Sequence, residues 1–151
     1  MRINLGCSDA HLAGFLNVDI VPPADALMDL SQPWLWPDNY ADEIVAHDII
    51  EHLPDKVLTM NEAWRVLKPR GRFDIEVPIA PGAGAWCDPG HVSVWTASDF
   101  EYYEHGNYAK DRWNGSNGVK CAFRVVSIKK HSYQAKWDEI LKLHIVLEAV
   151  K

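Results

Sequence analysis

"INLGCSDAHLAGFLNVDI", residues 3–20, places two short apolar runs around the turn Gly6-Cys7-Ser8-Asp9. Arg2 to Leu5 is stopped by Gly6, and Phe15 to Ile20 by Val21-Pro22-Pro23. Continuous apolar runs of this kind read as buried, parallel-type strands. Only about ten residues separate them, fewer than a right-handed crossover with a full helix takes, so the first crossover is expected as a tight loop or a vestigial helix.

Outward from this unit, "ADALMDLSQPWLWPDNY" (24–40) mixes one apolar stretch with Pro33, Pro37 and an Asp-Asn pair, predicting a brief helix or an irregular loop. "DEIVAHDII" (42–50) is a β-branched strand ending near His47 and Asp48. In "DKVLTMNEAWRVLKPRG", Val57, Met60, Trp64 and Leu67 fall at spacings of three and four. Asp55 is placed to cap this helix, and Lys68, Pro69 and Gly71 to end it. "RFDIEVP" (72–78) alternates as a strand does, and the Pro/Gly-rich 78–90 reads as a loop. Thr96 and Asp99 form a capping-box pattern ahead of "ASDFEYYEH", with Gly106 placed to close that helix. "KCAFRVVSIKKH" and "LHIVLEAVK" are the last strands, expected as antiparallel neighbours. The alternation is that of an α/β fold.

The chain has 151 residues, 48% of them hydrophobic, and is expected as one domain over 1–151. A net charge of −6 gives a field unfavourable to phosphate backbones, so nucleic acid is disfavoured as a partner. Three widely spaced cysteines, Cys7, Cys87 and Cys121, fit a reducing compartment. Neither a signal-like amino terminus nor a long apolar run is found, and the expectation is a cytoplasmic protein without a membrane partner.

Ligands of open α/β sheets sit beyond the carboxyl ends of the strands. There the sequence offers the Gly6 turn, whose free amides are expected to face a ligand, then Asp19, suited to ribose hydroxyls, then Asp29, His47 and Asp48. No GxGxxG phosphate fingerprint is present, which disfavours a nicotinamide dinucleotide. S-adenosylmethionine is a nucleoside that needs no phosphate cradle.

The run from "INLGCSD" through "GFLNVDI" and "EHL" to "NEAWRVLKPRGRFDIEVP" resembles the class I S-adenosylmethionine-dependent methyltransferases of the short bacterial type. That resemblance implies a Rossmann-like sandwich with a mostly parallel sheet and an antiparallel last strand. It implies S-adenosyl-L-methionine as cofactor, contacted by Leu5, Gly6 and Cys7, the last two against its methionine part. Asp19 is implied at the ribose, Ile20 beside the adenine, Asp29 and Leu30 at the adenine edge, and His47 at the end of its strand. Ser8 departs from the second glycine of the family's loop, Asp48 from a common histidine, and Arg70 from the first glycine of its "KPGG" turn.

"DPGHVSVWTASDFEYY" is similar to an element following the fifth strand in methyltransferases, where this fold places its acceptor pocket. Asp88, His91, Trp95 and Tyr103 become the acceptor-facing candidates. His91 is the expected base for a hydroxyl acceptor, oriented by Asp88, because histidine titrates near neutrality. The spacing of Cys87, Asp88 and His91 matches no zinc pattern, and no metal is expected. Glu51 and His52 are read as capping the next helix and holding its loop, Trp64 as core, and Trp34 and Trp36 as flanking a pocket. The reading is O-methylation of a small-molecule or saccharide hydroxyl, with a homodimer possible. The alternative is a non-catalytic cofactor-binding or interaction domain of the same fold.

Overall fold

The computed structural model describes residues 1–106 and 116–151. Strands β1 (Arg2–Leu5), β2 (Leu16–Asp19), β3 (Ala26–Leu27), β4 (Ala41–His47), β5 (Leu67–Pro78), β6 (Phe123–Gln134) and β7 (Glu139–Ala149) form one sheet in the order β3-β2-β1-β4-β5-β7-β6. The pairs among β1 to β5 are parallel, and β7 runs antiparallel to both β5 and β6. The expected mostly parallel sheet with an antiparallel last strand is what the chain forms.

No helix fills the first crossover. Two buried asparagines organise it instead. Asn4 Nδ2 donates to Ala10 O (2.9 Å) and to Asn17 Oδ1 (3.0 Å), and that oxygen also accepts from Leu12 N (2.8 Å). Asp25 Oδ2 then accepts from Asn17 N and Nδ2, joining the loop after β2 to the same cluster. Side-chain bonds thus satisfy backbone groups that a crossover helix would have satisfied itself.

Helix α1 (Lys56–Val66) starts at Asp55, whose Oδ1 accepts from Leu58 N at 2.9 Å. Met60, Ala63 and Val66 are buried against the sheet, and Trp64 is half-buried with its indole donating to Val150 O. The expected terminator is displaced: Leu67 already begins β5, so Lys68, Pro69 and Gly71 lie within a strand that bends at Arg70, φ +66°. Residues 24–40 form the short β3 and a loop. Trp34 is buried there, its amide donating to Glu62 Oε2 (2.7 Å), while Arg65 donates to the carbonyls of Trp34 and Trp36. The two tryptophans pack edge to face at 5.9 Å, and neither lines the two clefts described below. Residues 97–103 form a 3-10 helix whose Thr96 N and Oγ1 both donate to Asp99; it ends at Tyr103, ahead of Gly106.

One face of the sheet carries the core: Ile3, Leu5, Val18, Ile44, Ala46, Phe73, Ile75, Val77, Leu143, Ile145 and Leu147 pack with α1 and the loops. The opposite face is covered over β1 and β2 by the crossover loop, and further along it is charged. One register row across it reads Arg2, Glu43, Arg72, Glu148, Arg124, alternating in sign over five strands. Parallel sheets usually need apolar cover on both faces; opposite charges directly across strands let this one meet water.

Candidate functional site

The carboxyl ends of β1, β2 and β4 and the 3-10 turn Ile50–His52 bring most of the expected residues together. Gly6 (φ +62°) turns the chain after β1, and a side chain there would collide with Ile49, whose Cγ1 lies 2.5 Å from the ideal Cβ position. Two of the expected free amides are taken. Cys7 N donates to Val18 O (3.1 Å) and Ser8 N to Asp19 Oδ2 (2.8 Å), so this turn is closed onto β2. Cys7 and Leu5 are buried; burial and the nearby Asp19 carboxylate push the Cys7 thiol up, keeping it neutral.

Asp19 Oδ1 accepts from Ile20 N (2.7 Å) and Val21 N (3.2 Å). Its carboxylate thereby ties the turns after β1 and β2 together at an exposed rim. Beside it lies a cleft of about 440 Å³ lined by Ile20, Met28, Asp29, Leu30, Ile49, Leu53 and Val92. Three of the expected residues, Ile20, Asp29 and Leu30, share it. Asp29 Oδ1 holds both the amide and hydroxyl of Ser31, leaving Oδ2 without a hydrogen-bond partner among the described residues. The walls are mostly apolar, with Asp29, Ser31 and His52 as the polar side chains, a lining suited to a base and a ribose; no lysine or arginine among the described residues lines the cleft. The nucleoside half of S-adenosylmethionine fits this donor set. His47 stands apart, its Nε2 3.0 Å from Asp74 Oδ1 on the open sheet face, because the strand alternation turns it away from the cleft.

A second cleft, about 270 Å³, adjoins the first through His52, which lines both. It contains Asp48, Glu51, Cys87, Asp88, His91, Tyr133 and Lys142. His91 Nε2 lies 3.8 Å from Glu51 Oε1 and 3.8 Å from Asp88 Oδ2. Asp88 Oδ1 accepts from Gly90 N (2.7 Å), shaping the turn that delivers His91. His52 packs edge to face on His91 at 4.8 Å, with Nδ1 2.9 Å from Gly90 O.

Glu51 was readable from sequence only as a loop-holding residue. Its carbonyl does hold the loop, accepting from Val92 N and Ser93 N, yet its side chain does not cap α1, which Asp55 does. The carboxyl is 2% exposed and neither oxygen has a hydrogen-bond partner; His91 Nδ1 is likewise buried and unpartnered. Burial, helped by the neighbouring Asp48 and Asp88 charges, pushes Glu51 up to about 7. A carboxyl that changes protonation near neutrality thus stands beside the His91 imidazole. Trp95 and Tyr103, expected at the acceptor, are core residues: Trp95 is fully buried, stacked on Phe100 at 5.1 Å, and Tyr103 is buried beside it in the core.

Residues 11–75 match the model of a methyltransferase domain family. No curated protein matches the sequence. Among solved structures, the fold is similar to a candidate methyltransferase from Bacillus halodurans (TM-score 0.72, 10% identity, covering 99% of this chain and 92% of that one). It is also similar to an S-adenosylmethionine-dependent methyltransferase from Methanosarcina mazei (0.63, 13%, 99% and 92%). The [4+2]-cyclase SpnF shares the fold too (0.67, 12%, 99% and 74%), so the architecture alone does not set the reaction. No helix among the described residues is long and apolar enough to cross a membrane.

Proposed function

We propose that the chain is a class I S-adenosylmethionine-dependent methyltransferase that methylates a hydroxyl of a small molecule or sugar, with His91 as the base and Asp88 orienting its loop. The observation that carries this reading is the buried, unpartnered Glu51 carboxyl 3.8 Å from His91 in a cleft adjoining the nucleoside-sized one. The cofactor supplies an electrophilic methyl group. In this reading Asp19, Ile20, Asp29 and Leu30 hold its adenosine half, and the Gly6-Cys7 turn borders the rest.

A hydroxyl is a poor nucleophile until its proton is removed, and an amine is not, so a buried acid-base pair argues for oxygen as the acceptor atom. His91 takes the proton at Nε2. Ionised Glu51 stabilises the imidazolium, much as a carboxylate partner does for other catalytic histidines. The acceptor cleft also presents Lys142, Asp48 and Tyr133, polar groups suited to a polyhydroxylated ligand.

The test is to incubate the protein with methyl-labelled S-adenosylmethionine and panels of sugars, polyols, phenols and amines. Label recovered in ethers, and reduced in His91→Ala, supports the reading. Label recovered in amines, with His91→Ala as fast as wild type, overturns it.

A further inference from the structure

The open sheet face holds a second cluster that methyl transfer does not use. His47 on β4 and His144 on β7 flank β5, and both direct Nε2 at one atom, Asp74 Oδ1, at 3.0 and 2.8 Å. In the ladder both histidines oppose Glu76, which lies two residues from Asp74 on the same face of β5. The rings stand edge to face with centroids 6.0 Å apart, and the three ligand atoms all lie within 4.8 Å of one another.

We infer that His47, Asp74 and His144 form a binding site for a divalent transition-metal ion of the zinc, cobalt and nickel class. Ligand atoms around one tetrahedral zinc sit about 3.3 Å apart, given bond lengths of roughly 2.0–2.1 Å. Two of the three separations here are already close to that, so an ion enters by small side-chain rotations while the strands stay still. Two imidazoles and one carboxylate favour these metals over magnesium or calcium, which prefer all-oxygen sets. The side chains of His47, His144 and Asp74 are 47%, 38% and 25% exposed, leaving room for water at the remaining positions.

The surrounding charges are mixed in sign. Glu76 ion-pairs with Lys142 at 3.0 Å, Lys142 with Asp48 at 2.5 Å, and Lys129 opposes His144 on β6. Arg72, two residues before Asp74 on the same face of β5, joins Lys129 and Lys142 in balancing Asp48, Asp74 and Glu76, so the attraction for a cation comes from the three ligands themselves. A bound ion would clasp β4, β5 and β7 on the face that no helix among the described residues covers.

The test is calorimetric titration of tag-free protein with Zn²⁺, repeated on His47→Ala, Asp74→Asn and His144→Ala, all at least partly exposed positions whose variants are checked for folding by thermal melting. Co²⁺ provides a second readout through its visible absorption. One-to-one binding that weakens at least tenfold in each variant, with a cobalt spectrum free of thiolate charge transfer and a Zn²⁺-dependent rise in Tm, is the expected result. Failure of wild type to bind overturns the inference. So does binding that survives His47→Ala and His144→Ala but is lost in Glu51→Gln, which would place the ion with Glu51, His52 and His91. Neither outcome depends on methyl transfer.

Discussion

Glu51 Oε1 and His91 Nε2 lie 3.8 Å apart with both glutamate oxygens shut off from water and without hydrogen bonds. The separation is just beyond hydrogen-bond reach, so a slight closure of the 88–93 loop makes the contact. If His91 is the base, His91→Ala lowers kcat by about 10²- to 10⁴-fold while the cofactor Kd stays within a factor of two or three of wild type. Because burial pushes Glu51 up to about 7, kcat should rise with pH through neutrality, and Glu51→Gln should change the position of that limb. Steady-state kinetics from pH 5.5 to 9 check both.

The same carboxyl affects stability with the opposite sign. Its folded pKa of about 7 lies above the 4.5 of an ordinary glutamate, so between those values the folded state binds more protons than the unfolded state. Stability from this group is complete below about pH 4.5 and is lost as pH rises through 7, a difference of roughly 3 kcal/mol. Urea unfolding at pH 5 and pH 8 should show this loss in wild type, and Glu51→Gln should lack it.

The sequence carried the sheet because apolar runs and their order are local signals. β1, β2, β4, α1 and its Asp55 cap all stand within a residue or two of where the patterns put them. Four outcomes lay outside those signals. Whether Leu67 ends a helix or starts a strand depends on its pairing with Ala41. The Cys7 and Ser8 amides are taken up by Val18 and Asp19, partners eleven residues away. Glu51 becomes special only because the 88–93 loop folds over it, and His47 is turned to the open face by strand alternation that a motif match does not weigh.

Arg65 holds the loop that stands in for a helix before β4. It pairs with Glu62 at 2.7 Å and with Asp38 at 2.8 Å, and donates to the carbonyls of Trp34 and Trp36. The Arg65 bond is the main reason Glu62 is held below the ordinary glutamate range, against burial. Arg65→Ala leaves a nearly buried carboxylate unpaired, and about 3–5 kcal/mol of stability is expected to be lost. Glu62→Gln in the Arg65→Ala background should recover part of it, read by denaturant titration.

Gly6 combines a left-handed backbone with a missing side chain that Ile49 already occupies. Gly6→Ala therefore incurs the left-handed penalty of about 1–2 kcal/mol and an overpacking cost of about 1–3 kcal/mol. Ile49→Ala should relieve only the second. A double-mutant cycle by thermal unfolding separates the two, and full rescue would show that the backbone conformation is not strained.

Asp19 tests whether the rim is a nucleoside site or only a turn. A carboxylate offers about four acceptor sites, and the amides of Ser8, Ile20 and Val21 occupy three. A ribose hydroxyl can take the fourth without dismantling the loop. Calorimetry should show S-adenosylmethionine and S-adenosylhomocysteine binding to wild type, with NAD excluded for want of a phosphate cradle. Asp19→Ala should weaken both adenosyl compounds at least tenfold. Asp19→Asn keeps one oxygen for the backbone but loses the charge; if it restores the fold by thermal melting yet not the affinity, the carboxylate acts on the ligand. If it restores both, Asp19 is a turn former, and the hold on the adenosine falls to Asp29 and the apolar walls of Ile20 and Leu30.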